Sequence, residues 1–210
     1  MPVDWKRVQT ALRYSRNGNQ LKALSGLEEA LSDAHSETDR AAIIAGQANC
    51  YAHLGDTSKA LVLLRTAKEL ASQDQAVLSQ IAMSEASTYA LCREFGKACE
   101  LFKAARSQFH DVLSDPSMAD ARIELDSRFA CALVDAERFE NAIELFRRLF
   151  EYPELEDRQR LELFYGLALF RMGRVSEAQS LFFNAASGKD SEMANTALHY
   201  LSELGTVSQQ

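Results

Sequence analysis

The stretch LGDTSKALVLL, residues 54–64, joins a turn to the start of a helix, and its outline occurs five times in the chain. Gly55 tolerates the positive φ of a chain reversal, Asp56 is a favoured N-cap residue, and apolar residues then follow at helical spacing. A recurrence of this kind indicates a stack of similar structural units. The other copies are NGNQLKALSGL (17–27), CREFGKACELF (92–102), AERFENAIELF (136–146) and MGRVSEAQSLF (172–182).

The five copies align on one shared alanine, and the separations between successive alanines are 37, 38, 44 and 36 residues. A large apolar residue follows each alanine by four positions, which places both on one helix face. A small residue and a larger one precede each alanine by twelve and nine positions, in an earlier helix. Each unit is therefore predicted to contain a helix A, a short turn and a helix B. The alanines are Ala23, Ala60, Ala98, Ala142 and Ala178, and the large residues are Leu27, Leu64, Phe102, Phe146 and Phe182.

Glycine occupies the turn between the two helices in only three of the five copies. Gly18, Gly55 and Gly173 suit a reversal with positive φ. Arg93 and Glu137 hold this position in the third and fourth copies. We therefore expect those two turns to have a different geometry.

This order of small and large residues resembles the tetratricopeptide repeat (TPR) family, most clearly at Ala48, Tyr51, Gly55, Ala60, Leu64 and Ala67. The spacing exceeds the family's usual length of about 34 residues, so the repeats are divergent. The resemblance implies an all-α fold, a right-handed α-α superhelix (TPR-like solenoid) of five helix pairs plus a C-terminal capping helix. It implies a single domain over residues 1–210, with repeats near 4–37, 41–74, 79–112, 123–156 and 159–192 and the capping helix near 191–204.

Two A helices are expected to be longer than the others. Asp115 and Pro116 look like an N-cap and a first-turn proline, so the fourth helix A is predicted from about Pro116 to Asp135. The segment from Tyr152 predicts a similarly extended fifth helix A. After the last repeat, an apolar stripe predicts the capping helix, and it consists of Met193, Ala194, Ala197, Leu198, Leu201 and Leu204.

The bulk properties favour a cytoplasmic helical protein. Only 3 prolines and 9 glycines occur in 210 residues, which favours helix nearly throughout. The net charge of −7 argues against nucleic-acid binding, which draws on clustered Lys and Arg. No run reaches the roughly 18 apolar residues of a membrane span, and no export signal is recognisable at the start. The four cysteines lack the close spacing of a disulfide scaffold and fit reduced thiols.

The family resemblance places a binding groove on the concave surface, which the A helices line. It implies that a peptide or a helix of a partner protein binds there. The residues predicted to line this groove are Asn49, His53, Gln80, Met83, Ser87, Ser127, Arg128, Cys131, Arg160, Leu163, Leu167 and Phe170. Asn49, Ser87 and Cys131 occupy equivalent positions and are predicted to form a ladder of small polar contacts.

A non-catalytic protein-interaction module is therefore the predicted function. Cys50 and His53 stand three apart on a helix, but the sequence has neither a metal-ligand spacing nor a Gly-rich phosphate loop, so neither an enzyme nor a cofactor is expected. The alternative is a structural scaffold that self-associates as a homodimer, through one end of the array or through the apolar fifth helix A.

Overall fold

The computed structural model describes residues 3–153, 155 and 157–207, and over these residues the chain forms twelve α-helices, one 3-10 helix and no β-strand. The chain divides into two compact units, Met1–Ala121 and Arg122–Gln210. The helices of the first unit are α1 Trp5–Arg16, α2 Gln20–Ser32, α3 Glu37–His53, α4 Thr57–Ala71, α5 Gln75–Leu91, α6 Phe95–Gln108 and α7 His110–Leu113. They are followed by the 3-10 helix Pro116–Met118 and by α8 Ala119–Asp135, α9 Phe139–Leu149, α10 Arg158–Arg171, α11 Val175–Ala186 and α12 Ser191–Val207. The all-α fold class is confirmed.

Three antiparallel helix pairs build the first unit. Helix α1 packs against α2, α3 against α4, and α5 against α6, while α2 and α4 each pack against the next A helix. The aligned alanines Ala23, Ala60 and Ala98 are fully buried, which lets the paired helices approach closely. Leu27 and Leu64, four residues after their alanines, are buried as well, as the alignment predicted. Full burial of one such leucine contributes roughly 1.5–3 kcal/mol.

In the second unit, stacked aromatic side chains pack neighbouring helices against each other. Helix α9 packs against α10, α10 against α11, and α12 against both α11 and α10. The buried ring of Phe146 stacks on Tyr165, with centroids 5.2 Å apart, and the buried ring of Phe182 stacks on Tyr200 at 5.1 Å. Helix α12 therefore lies against the last pair as an A helix lies against the pair before it. Leu198 is exposed, so the buried stripe of α12 is narrower than the apolar pattern predicted.

All five turns between paired helices have the same backbone geometry. Arg93 and Glu137 have φ of 64° and 58°, in the same region as 84° at Gly55. In each turn the next amide donates to the carbonyl five positions back, over 2.8–3.0 Å, as in a Schellman motif. The prediction of a different geometry at Arg93 and Glu137 is wrong, because main-chain hydrogen bonds close the turn whatever side chain stands there.

Of the two A helices that were predicted to be extended, only one has the predicted start. The carboxylate of Asp115 accepts from the amide of Ser117 at 2.8 Å, and the 3-10 helix leads into α8, which confirms the predicted start near Pro116. Helix α10 begins only at Arg158, so the prediction of an extension from Tyr152 is wrong. Asp157, with φ of 61°, is left-handed, a conformation that interrupts a right-handed helix.

Candidate functional site

The A helices of the first unit present an accessible face made of equivalent positions in successive repeats. Helix α3 packs against both α1 and α5, so equivalent residues lie on neighbouring helices. We call this surface the first-unit face. It consists of Trp5, Leu12, Arg16, Asn49, His53, Gln80, Ser87 and Leu91, all of which are half-buried or exposed.

The first-unit face combines polar groups in its middle with apolar residues at its margins. Asn49 and Ser87 are half-buried, and His53 and Gln80 are exposed. An amide and a hydroxyl both donate and accept hydrogen bonds, so these side chains can pair with a peptide backbone. Trp5 is 44% exposed and Leu91 is 47% exposed. The face can therefore contact polar and apolar groups of one ligand together.

Three of the residues predicted to line a groove are buried. Met83 is 6% exposed, Cys131 is 4% exposed and Leu163 is 7% exposed. Met83 has the same repeat position as Ala45, which is also buried, so this position on an A helix contributes to packing. Burial raises the pKa of the Cys131 thiol to about 11. These three side chains are held in the core and offer little surface to a partner.

The polar residues predicted on the second unit are engaged locally. Arg128 forms an ion pair with Glu124 one turn earlier on α8. The guanidinium of Arg160 lies 5.6 Å from the centroid of the Phe164 ring on its own helix. Ser127 is half-buried on α8. These contacts order the charged side chains along the surfaces of α8 and α10.

The apolar side of α10 is largely covered within the second unit. Phe170 contacts the ring of Tyr200 on α12, with centroids 6.0 Å apart. Leu167 is half-buried and Leu163 is buried. Little of the apolar pattern that marks this helix in the sequence is therefore exposed.

The neighbouring residues Cys50 and His53 point into different surroundings. Cys50 is fully buried and its pKa is raised by burial, whereas His53 is exposed. A buried thiol with a raised pKa is a poor nucleophile at neutral pH, since the thiolate is the reactive form. All four cysteines are free thiols.

A pair that the sequence reasoning missed recurs in the first three repeats. The ammonium group of Lys22 lies 4.2 Å from the centroid of the Tyr14 ring, and Lys59 and Lys97 lie 3.8 Å from the rings of Tyr51 and Tyr89. In every case the lysine follows the tyrosine by eight residues. The fourth and fifth repeats lose both partners together, because leucine replaces the tyrosine and Asn141 or Glu177 replaces the lysine. This joint change was visible in the alignment.

Neither a metal-ligand cluster nor a membrane-spanning helix occurs among the described residues. Among residues 3–153, 155 and 157–207, no three His, Cys, Asp or Glu side chains come together in a way that could hold a metal ion. In the same part of the chain, no helix combines the length and the apolar character needed to span a bilayer.

Comparisons with known proteins identify the fold. No protein-family model matches the sequence, and no curated protein matches it. The structure is similar to that of pilF from Pseudomonas aeruginosa, with a TM-score of 0.62 and 15% identity over 96% of this chain and 90% of that one. It is similar to a tetratricopeptide repeat protein from Parabacteroides merdae, with a TM-score of 0.58 and 14% identity over 97% and 75% of the two chains. A Podosopora anserina protein with nearly identical TPR-like repeats gives a TM-score of 0.59 at 19% identity, over 86% and 91%. The repeating helix pairs, the shared turn and these likenesses show that the chain has the TPR-like fold.

Proposed function

We propose that the chain is a non-catalytic protein-interaction module whose first-unit face binds a peptide or a helix of a partner protein. The observation that carries this proposal is the row formed by Asn49 and Ser87, which occupy equivalent positions on the adjacent helices α3 and α5. Small polar side chains repeated at one interval suit a ligand that is itself periodic, such as a helix or an extended peptide.

The margins of the face favour a protein ligand as well. Trp5 is the first residue of α1 and Leu91 is the last residue of α5, and both are exposed and apolar. Aromatic residues are enriched at protein interfaces, and a central polar row with apolar ends fits an amphipathic segment. The partner we propose is therefore another protein or peptide.

The non-catalytic part of the proposal rests on the chemistry of the thiols. Burial raises the pKa of Cys50 and of Cys131, so neither thiol is activated. His53, the base nearest to Cys50 in the sequence, belongs instead to the exposed first-unit face.

A site-specific crosslinking experiment tests the proposed face. A photoreactive phenylalanine analogue at position 80 or 53 is expected to crosslink one protein from a native lysate, which mass spectrometry then identifies. The same analogue at Lys68, exposed on α4, is the matched control. Crosslinking of the same protein from all three positions would contradict the assignment, because contact would not depend on the face.

Substitutions then separate binding from folding. Asn49→Arg together with Ser87→Arg is expected to abolish capture of the identified protein, because two long cations would fill the central row. The control pair is Ser58→Arg with Ser107→Arg, at exposed positions of helices α4 and α6. Circular dichroism verifies the fold of both variants, and unchanged capture by the first pair would refute the proposal.

Self-association is the second candidate, and exposed apolar residues near the last helices favour it. Phe183 is 56% exposed and Leu198 is 53% exposed. The apolar fifth helix A gives it less support, because Leu163 is buried and Phe170 is covered by Tyr200. Light scattering after size exclusion tests it, since a strictly monomeric chain at tens of micromolar would exclude a stable homodimer.

A further inference from the structure

The outward side of helix α11 carries no charged residue. Glu177, at the edge of this side, is the only charged residue between Val175 and Ala186, and its carboxylate accepts two hydrogen bonds from Arg174 at 2.7 and 2.5 Å. The B helices of the other four repeats each contain three or four charged residues. We call the uncharged surface the α11 face, and it consists of the exposed residues Ser176, Gln179, Ser180, Phe183, Asn184 and the C-cap residue Ser187.

Two residues of the α11 face differ in kind from their counterparts in the other repeats. Phe183 follows the aligned alanine by five positions and is 56% exposed, where the other four repeats have charged residues. Gln179 follows the alanine by one position and is exposed, where the others have apolar residues that are buried or half-buried. Depletion of charge around an exposed aromatic residue is typical of the core of a protein interface. The charged counterparts are Glu28, Arg65, Lys103 and Arg147, and the apolar ones are Leu24, Leu61, Cys99 and Ile143.

The side chains of the α11 face are of types that can pair with their own kind. Hydroxyls and carboxamides both donate and accept hydrogen bonds, whereas lysine and arginine only donate and carboxylates only accept. The hydroxyls of Ser180 and Ser187 donate to carbonyls of their own helix, at 3.4 and 3.0 Å, so their oxygens serve as acceptors. The carboxamides of Gln179 and Asn184 then supply donors, and aromatic rings pack favourably on one another. The face can therefore meet a copy of itself without burying a charge.

We infer that the α11 face is a homodimer interface, in which α11 of one copy packs antiparallel against α11 of a second copy. A two-fold axis joins one patch to the same patch on the partner, which requires the self-complementary chemistry of this face. The same contact through another helix B would bury its charged residues at a desolvation cost. The inference rests on self-association, the second candidate function above, and assigns the surface that carries it. It shares no residue with the first-unit face.

Sedimentation equilibrium of the full chain tests the inference. We expect a reversible monomer–dimer equilibrium with a dissociation constant in the micromolar range, because one helix from each copy makes a small interface. Phe183→Arg introduces the residue that α4 and α9 have at this position, and it should raise the dissociation constant about a hundredfold, since two rings are lost and two cations are brought together. Val62→Arg, at a residue of α4 that is 57% exposed, is the matched control and should leave the equilibrium unchanged. Circular dichroism verifies the fold of both variants.

Photocrosslinking then locates the contact between the two copies. A photoreactive phenylalanine analogue at position 180 should give a covalent dimer whose crosslink joins position 180 to α11 of the second copy. The same analogue at position 62, the equivalent residue of α4, is the control and should give no dimer. A dimer that Phe183→Arg leaves intact would overturn the assigned interface while self-association stands. A strictly monomeric chain over the whole concentration range would overturn both, and neither outcome affects the binding proposed for the first-unit face.

Discussion

The carboxamide of Gln159 occupies the space that a side chain at Gly188 would fill, and a Cβ atom at Gly188 would lie 2.0 Å from its Cδ atom. Its Nε2 donates to the carbonyls of Ala185 and Asp190, and its Oε1 accepts from the amide of Asp190, at 2.8–2.9 Å. One side chain at the start of α10 thus fixes the connection between α11 and α12. Neither residue belongs to the repeat pattern.

Gln159→Ala is expected to lower the free energy of unfolding by about 1–3 kcal/mol, because it removes three hydrogen bonds to the main chain. Gly188→Ala should have a similar effect, because its methyl group displaces the carboxamide. The double variant should lower the free energy of unfolding by clearly less than the sum of the two single effects. The methyl group at position 188 no longer meets a carboxamide once Gln159 is replaced. Urea unfolding measures all three, and strict additivity would show that the two residues act independently.

The left-handed turns give predictions of opposite sign. Arg93→Gly and Glu137→Gly should each raise the free energy of unfolding by about 0.5–1 kcal/mol, because relief of left-handed strain outweighs the flexibility of glycine. Gly55→Ala should lower it by about 1 kcal/mol for the same reason. Gly96→Ala is the control, because Gly96 lies within α6 with nothing near its Cβ position, so helix propensity should make it stabilising. Thermal and urea unfolding check the signs, and a destabilising Arg93→Gly would refute the explanation.

The recurrent lysine and tyrosine pair predicts a pH-dependent contribution to the stability of the folded state. A hydrogen bond to Tyr89 raises the pKa of Lys97 above its ordinary value of 10.5. The folded state therefore holds this proton more tightly, so the stabilisation is fully present below the ordinary pKa and is lost as pH rises through the raised one. Lys97→Gln should slightly lower the urea midpoint at neutral pH and have no effect above the raised pKa. Lys103→Gln, exposed on α6, should have little effect at either pH, and a pH-independent loss for Lys97→Gln would contradict the prediction.

Gly166 is the one glycine among the five residues that precede the aligned alanines by twelve positions, and it lies against the ring of Phe182. Alanine holds this position in the third and fourth repeats, where the aligned large residue is also phenylalanine, so the tight contact is specific to the fifth repeat. A Cβ atom at Gly166 would lie 2.7 Å from the Phe182 ring, which stacks on Tyr200. Gly166→Ala should therefore lower the free energy of unfolding by about 1–3 kcal/mol through overpacking. Phe182→Leu in the same chain should make Gly166→Ala nearly neutral, as alanine stands opposite leucine in the first two repeats. A double-mutant cycle by urea unfolding measures this coupling, and its absence would refute the steric account.

The alignment of five short segments predicted most of the fold because helical spacing constrains which residues face each other. Ala60 and Leu64 are buried as their positions required. The turns at Arg93 and Glu137 were predicted wrongly because side-chain preference was considered without the hydrogen bonds of the main chain. The start of α10 was missed because the left-handed conformation of Asp157 has no marker in the sequence.

The candidate site was harder to predict than the fold. Helical spacing shows which side of an A helix a residue occupies, but it does not show which neighbour covers that side. Met83 and Leu163 are buried for this reason, although both stand on the expected side of their helices. The α11 face could have been recognised from the sequence, because the other four repeats have a charged residue at the position aligned with Phe183.

The shared geometry of the five reversals bears on how such a chain can change by recombination. Main-chain hydrogen bonds close each reversal, and glycine, arginine and glutamate are all found at its left-handed position. A crossover at Gly55, Arg93 or Glu137 would therefore join the first half of one repeat to the second half of another without a new connector. Each junction is a site where whole A helices, with the side chains they expose, can be exchanged on an unchanged backbone.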